Sequence, residues 1–583
     1  MIYAEKLTFG FGSTPLFQNL SFTLEENCHC ALIGSNGTGK TTLMNLIRQP
    51  EQFLYDGKLR LEGAGRIGYV SQFALREGDQ SITVYDYLCQ DFLDLEQQIG
   101  QVCLEMETAE DLDALMERYQ QLLEESDAVD ADNYEFNIRR QLRLAELEGK
   151  EALPLEALSG GELKLVQVIR QMLRLPGLLI MDEPDVFLDF ENLKGLRDLI
   201  NDYRGTLLVV THSRYLLAHC FDRIWHLENG DLQEFEGSYN AYSYSRLQKK
   251  IDLKLASIAD EEEVQRLGVL VDQLRENCEE KADPRRGRAL RSKVSFLNRL
   301  LSRQIKAPFV QIRQPDIRLP QVDVPEEPTE LLRLENYSLS FEEKLLENVS
   351  FAVHTGEKVA LVGANGTGKT SMLRQIWKNR NPAIRFSADA VPAFFSQLHA
   401  EILREGSTIY EEFLDIGFDT EAQIEEYLRD YCFDPNTLRR RVGNLSGGEK
   451  NLLQLAKLAA GNANLLLLDE PSSHLDTFAQ IALEEAIAAY PGAVLMVSHD
   501  FYTIVNCADT ILLVEDGSIR PMSARAFRKM IYKKHFSKDY LELELQKKDL
   551  ETKIQQLLEA GDCAEAQRLC DRLAQTIEQM EQA

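Results

Sequence analysis

The chain has 583 residues and a formal net charge of −30, so its surface as a whole repels nucleic acid, and any such contact must come from a local basic patch. Its longest apolar runs, such as Leu465 to Leu468, fall far short of the about 20 residues that span a bilayer, and the opening MIYAEKLTFGFG has no charged segment followed by an apolar one. A cytoplasmic chain without membrane insertion is expected, and its ten scattered cysteines read as reduced structural thiols, since Cys28 and Cys30 have no second pair to complete a zinc site.

A strand-like run, Cys28 to Ile33, leads into GSNGTGKT, Gly34 to Thr41. Gly34, Gly37 and Gly39 let such a loop curl its N–H groups toward a phosphate, with the positive end of the following helix behind them. Lys40 then reaches the β- and γ-phosphates, Thr41 offers a hydroxyl to Mg²⁺, and Ser35, Asn36, Thr38 and Thr42 complete the predicted ATP-binding loop. The run Arg66 to Val70 brings Gln72, a candidate for ATP and metal contact. Between Asp91 and Glu135, 15 acidic residues face Arg118 alone in a helical pattern, an acidic insertion.

LSGGE follows at Leu158 to Glu162, with Ser159, Gly160 and Gly161 where a helix would begin and present N–H groups to an anion. The strand Leu178 to Met181 ends at Asp182, a predicted Mg²⁺ ligand through water, and at Glu183, a candidate general base. After the strand Thr206 to Val210 comes His212, placed to contact the γ-phosphate.

The whole series then repeats. GANGTGKT offers Gly363, Ala364, Asn365, Gly366, Thr367, Gly368, Lys369 and Thr370, with Ser371 next, followed by Gln397, LSGGE with Ser446, Gly447 and Gly448, the acids Asp469 and Glu470, and His499. Ser159 and Asp182 lie 23 positions apart, as do Ser446 and Asp469; Asp182 and His212 lie 30 apart, as do Asp469 and His499. Thr370, Asp469 and Gln397 are the second set of metal candidates, and Glu470 and His499 the second catalytic pair. Strands are predicted at Val359 to Val362, Ala393 to Phe395, Leu465 to Leu468 and Ala493 to Val497, so both units are α/β with sites at the carboxyl ends of parallel strands.

These motifs, the LSGGE strings above all, resemble the ATP-binding cassette (ABC) superfamily. The resemblance implies two P-loop ATPase domains in a head-to-tail sandwich within one monomer, ATP and Mg²⁺ as cofactors, and each signature completing the other domain's site. Lys40, Asp182, Glu183 and His212 would work with Ser446 and Gly448; Lys369, Asp469, Glu470 and His499 would work with Ser159 and Gly161. It also implies an aromatic that stacks on adenine ahead of each loop, for which Phe11 and Phe341 precede the parallel segments FQNLSF and LENVSF, Phe9 competing with Phe11. One departure is that the second unit reads PSSHLD at Pro471 to Asp476, whereas the first reads PDVFLD at Pro184 to Asp189, so unequal turnover at the two sites is expected.

Two fused cassettes without a membrane domain look like the ABC-F subfamily, which works on ribosomes. Residues 1–240 and 328–530 are read as the cassettes, 241–327 as an interdomain α-helical hairpin linker, and 531–583 as a carboxy-terminal helical extension. Leu267, Val271, Leu274 and Cys278, then Leu290, Val294, Leu297, Leu301 and Ile305, form two apolar stripes that predict a hairpin with its tip near Pro284. Nine basic residues against Asp283 alone give 281–306 a local charge of +8. By the resemblance, Arg285, Arg286, Arg288, Arg291 and Lys293 would contact RNA, the hairpin entering the tRNA exit site of the 70S ribosome toward the P-site tRNA and the peptidyl transferase centre. The protein would be a translation factor or an antibiotic ribosomal-protection protein. An ATPase subunit of a transporter with a separate membrane partner, or a DNA-associated ATPase, are the alternatives. The extension's stripes, Leu550, Ile554 and Leu557 then Leu569, Leu573, Ile577 and Met580, predict a second hairpin turning at Gly561-Asp562, its net charge of −5 from Phe536 to Ala583 opposing DNA contact.

Overall fold

The computed structural model describes all residues except 12–13, 62–65, 73–80, 108–111, 187, 256–292, 294–313, 323–324, 326, 342–343, 536–537 and 583. The chain forms two compact units, one of Met1–Glu236 with Arg313–Lys529 and one of Gly237–Ile312 with Met530–Ala583.

The first unit holds both α/β repeats. The amino-terminal repeat has strands β1 (Ile2–Phe11), β2 (Thr14–Leu24), β3 (His29–Ile33), β4 (Asp56–Leu61), β5 (Ile67–Val70), β6 (Leu178–Asp182), β7 (Thr206–Val210), β8 (Arg223–Glu228) and β9 (Asp231–Glu236). Six of them make a sheet of order β5-β6-β7-β3-β8-β9, parallel except where β9 pairs with β8; the other three make an antiparallel sheet, β2-β1-β4. β6 and β7 are buried at every position, which is why they read as unbroken apolar runs.

The later repeat has β10 (Glu330–Ser340), β11 (Lys344–His354), β12 (Lys358–Gly363), β13 (Ile384–Phe386), β14 (Pro392–Phe395), β15 (Leu465–Asp469), β16 (Ala493–Val497), β17 (Thr510–Glu515) and β18 (Ser518–Ser523). Its sheets, β14-β15-β16-β12-β17-β18 and β11-β10-β13, repeat the same topology. Each core fills the space between the two sheets and the helix after the phosphate loop, with Leu43, Met44 and Ile47 in the first and Met372, Leu373 and Ile376 in the second. The predicted strands fall on observed ones, and β7 and β16 match to the residue. Cys28 lies just before β3, its thiol donating to Asp222 Oδ1 at 3.6 Å.

The acidic insertion is built from helices Val84–Met106, Asp113–Ala128 and Tyr134–Leu144. Leu88 and Phe92 face inward, and Asp91 accepts from Arg170 at 2.9 Å and from Arg174 at 2.8 Å, both on or at the end of the helix Gly160–Leu173. Against the effect of burial, the two guanidinium groups hold the Asp91 carboxyl down at about 2.

In the second unit, helix 239–255 packs with the helices Lys538–Ala560 and Cys563–Gln582, which turn at Gly561 with φ +84°. Leu247 and Ile251 share one core with Ile554, Cys570 and Leu573, and Gln248 and Gln567 exchange amide hydrogen bonds at 2.9 and 3.0 Å. The carboxy-terminal hairpin is thus closed by the helix that follows β9. The linker stripes and the tip lie outside the described residues, as do Arg285, Arg286, Arg288 and Arg291; Lys293 is exposed.

Candidate nucleotide sites on the two cassettes

Each phosphate loop leaves a buried strand, β3 or β12, and enters a helix, Lys40–Arg48 or Lys369–Lys378. The residue before each helix, Gly39 at φ +96° and Gly368 at φ +90°, has a left-handed backbone, and a β-carbon there would strike Phe17 and Leu16 or Leu339. Both lysines fold back over the loop. Lys40 Nζ donates to the carbonyls of Gly34 at 2.9 Å and Ser35 at 3.0 Å; Lys369 Nζ donates to those of Gly363 at 2.8 Å and Ala364 at 2.6 Å. The hydroxyls of Thr38 and Thr367 close the loops on Ser35 at 2.9 Å and Ala364 at 3.0 Å.

The threonine and aspartate of each metal set pair in the same way. Thr370 Oγ1 donates to Asp469 Oδ1 at 2.8 Å, and Thr41 hydrogen-bonds Asp182. Gln72 Nε2 donates to Glu183 Oε2 at 2.6 Å. Gln397, Ser371, Glu470 and His499 share a cavity of about 310 Å³ with Lys369 and with Glu183 and His212 of the other cassette. Ser159 and Ser446 cap the helices Gly160–Leu173 and Gly447–Ala459, each in a capping box closed by Glu162 or Glu449.

The cassettes meet through these loops. A β-carbon at Gly448 would collide with the Asn36 side-chain amide, so the second signature lies against the first phosphate loop. Asn36 also donates from its main chain to Asp476 Oδ2 at 3.0 Å and from Nδ2 to the His474 carbonyl at 3.0 Å. In the reverse direction the Asn365 N–H donates to Asp189 Oδ2 at 3.3 Å, whereas Gly161 abuts Asn192 of its own cassette. Phe11 and Phe341 both stand exposed, at 69% and 67%, ahead of their loops, while Phe9 is buried and packs edge-on against Phe11 with ring centres 5.2 Å apart.

Burial sets the electrostatics. It raises Glu183 to about 7, with Asp185 and Asp182 adding to the effect, and Glu470 to about 8, with Asp469 adding. His499 is pushed down to about 3 and His212 well below its ordinary value, by burial and then by Lys369 or Lys40, so both imidazoles are neutral. Lys40 and Lys369 are lowered by burial as well. Among the described residues, both ring nitrogens of His212, Asp469 Oδ2 and Glu470 Oε1 are buried without a hydrogen-bond partner. An anion at the lysines, with a cation at the aspartates, fits these desolvated groups.

The sequence alone assigns no role to three residues at the sites, two of them the closing acids of PDVFLD and PSSHLD. Asp189 and Asp476 occupy equivalent places, seven positions after Asp182 and Asp469, and that register was the signal for both. Lys164 has no such signal, because its counterpart is Asn451. It is 2% exposed and donates to the carbonyls of Ser71 and, at 3.0 Å, of Gln72; burial lowers it to about 8.

The ABC transporter family model matches residues 17–186 and 346–473. The chain is 29% identical to the ATP-binding protein Uup of Haemophilus influenzae, over 87% of this chain and 77% of that one. It is 27% identical to the energy-dependent translational throttle protein EttA of the same organism, over 85% of this chain and 88% of the relative. Among solved structures it shares its fold with one titled a model of ribosome-bound archaeal Pelota and ABCE1, at TM-score 0.51 and 20% identity, covering 91% of this chain and 80% of that one. No helix among the described residues is long and apolar enough to cross a membrane. With two cassettes matched in one chain and similarity to Uup and EttA along most of each chain, the protein belongs to the ABC transporter family, in its tandem-cassette ABC-F form.

Proposed function

We propose that the chain hydrolyses ATP at two sites formed between its cassettes and uses that cycle on the ribosome, entering the tRNA exit site so that the linker acts on the P-site tRNA and the peptidyl transferase centre, as a translation factor or a ribosomal-protection protein. The observation that carries the hydrolytic part is the seating of Gly448 and Asp476 against the phosphate loop of the opposite cassette. In this reading Lys40 and Lys369 turn from the loop carbonyls to the β- and γ-phosphates, and the loop N–H groups of 34–42 and 363–371 hold the remaining phosphate oxygens. Thr41, Asp182 and Gln72, and Thr370, Asp469 and Gln397, hold Mg²⁺, which when bound neutralises phosphate charge.

Glu183 and Glu470, raised toward neutral pH, each take a proton from the attacking water, and His212 and His499 donate from a neutral ring to the γ-phosphate. Ser159, Gly160 and Gly161, and Ser446, Gly447 and Gly448, close each site from the facing helix end, while Phe11 and Phe341 stack on adenine. The ribosomal part is supported by the similarity to a translational throttle protein along most of both chains and by the +8 segment 281–306 on a chain of −30.

The test is sedimentation of the Glu183→Gln, Glu470→Gln double variant with cell extract and ATP. Migration with 70S particles, lost when Arg285, Arg286, Arg288, Arg291 and Lys293 are changed to Glu, is the expected result. A variant that closes on ATP yet stays at the top of the gradient would refute the ribosomal reading.

A further inference from the structure

Beside the nucleotide sites the cassettes are joined by a buried ionic cluster with no equivalent across the internal repeat. Arg214, from the first cassette, lies two residues after His212 and begins the helix Arg214–His219. Its guanidinium grips Glu484 of the second cassette through both terminal nitrogens and donates to Asp500 Oδ2 at 3.1 Å. The side chains of Arg214 and Glu484 are only 13% and 6% exposed. The carboxylates are further satisfied within the second cassette: Glu484 accepts from Asn506 at 2.7 Å, and Asp500 accepts from the Thr503 hydroxyl at 2.6 Å.

The repeat register puts Phe501 where the first cassette has Arg214, and Arg197 where the second has Glu484. Those two do not make the reciprocal pair. Phe501 packs against Phe190 with ring centres 5.9 Å apart, and Arg197 is spent within its own cassette on Asp198 and on the Tyr215 hydroxyl at 2.7 Å. A planar fork gripping one carboxylate and reaching a second fixes orientation as well as distance. Burying such charges gains little net stability over apolar side chains, so this cluster, unreciprocated among the described residues, reads as a device for geometry.

Asp500 connects the cluster to chemistry. It follows His499 directly, caps the helix Phe501–Cys507 through the N–H groups of Tyr502 and Thr503, and so sets the path of the backbone whose His499 N–H donates to Glu470 Oε2 at 3.2 Å. We infer that Arg214 of the first cassette is a positioning residue for the second cassette's site, holding the His499–Asp500 turn in place from across the interface. Arg214 does not line the cavity that His499 and Asp500 line, and acts through Asp500. The inference rests on the hydrolytic reading above and adds a direction to it, because the second site depends on a first-cassette side chain and Phe501 provides no return path.

Site-resolved kinetics of the full chain test this. In the Glu183→Gln background, where turnover reports the second site, Arg214→Met is expected to lower kcat on the order of 10-fold with the KM for ATP little changed, as small misplacements of a catalytic group do. Arg214→Lys, which keeps the charge without the fork, falls between, and Glu484→Gln, which loosens the guanidinium, gives the same second-site loss. In the Glu470→Gln background, where turnover reports the first site, Arg214→Met is expected to stay within about twofold of its parent. An undiminished second site, or equal losses at both sites, would overturn the inference, the latter by making the cluster a general clamp. Should Arg214→Met not fold, Arg214→Lys and Glu484→Gln decide alone. Parents inert at both sites would instead remove the hydrolytic reading, and this inference with it.

Discussion

The main-chain N–H of Asn36 donates to the carboxylate of Asp476, 440 positions along the chain, at 3.0 Å. A phosphate-binding loop of one cassette is thereby held by an acid of the other, and that acid also caps the helix Thr477–Ala489 through Phe478 and Ala479. After the effect of burial, Asp476 is the foremost support for the charge of Lys40.

Asp476→Ala is therefore expected to raise the KM for ATP and lower kcat at the first site more than at the second. Loss of the cap alone costs about 1 kcal/mol of stability, which Asp476→Ser restores without restoring the contact to Asn36. ATPase assays in the Glu470→Gln and Glu183→Gln backgrounds check this, and equal effects on both sites would contradict it.

The candidate bases impose a pH dependence. Burial raises Glu183 to about 7 and Glu470 to about 8, so both are protonated in the nucleotide-free protein at mildly acid pH. A base must be unprotonated to accept, so kcat/KM is expected to rise with pH from about 6 to 8. Initial-rate measurements across that range read it directly.

The same groups affect stability with the opposite sign. A carboxyl whose folded value lies above its unfolded one binds protons more tightly when folded, so stability is full below about 4.5 and is lost as pH rises toward 8. Glu470→Gln, which cannot ionise, is expected to melt higher than its parent at pH 8.5 by several degrees and to match it near pH 4.5. Scanning calorimetry without nucleotide at the two pH values provides the comparison.

Lys164 holds the backbone carbonyls of Ser71 and Gln72, whereas its register counterpart Asn451 donates its side-chain amide to the Ser473 carbonyl. Lys164→Met removes two hydrogen bonds from the backbone of Ser71 and Gln72 and the cation facing Asp185, Asp182 and Glu183. A loss of about 2–4 kcal/mol by denaturant titration, with first-site turnover reduced more than second-site turnover, is expected.

Leu573 is wholly buried in the core that helix 239–255 shares with the carboxy-terminal hairpin. Leu573→Ala is expected to destabilise that unit by about 2–5 kcal/mol, seen as faster hydrogen exchange in helix 239–255 while β6 and β15 keep their protection.

The sequence by itself determined the repeated α/β fold, because the central parallel strands β6, β7, β15 and β16 are buried at every position and so read as unbroken apolar runs, and because phosphate chemistry demands glycine, lysine and acid at fixed spacing. The two sets of motif residues were legible for the same reason: each is a local string whose function is set by its own backbone. What only the tertiary structure decided lies between strings. Asp476 against Asn36, Arg214 between Glu484 and Asp500, and Lys164 under Gln72 join residues distant in the chain. Side-chain atoms meet there because two folded surfaces oppose each other, and no spacing within either segment encodes that meeting. The carboxy-terminal hairpin follows the same rule: its apolar stripes announced a partner, but only the folded chain showed that the helix after β9 covers them.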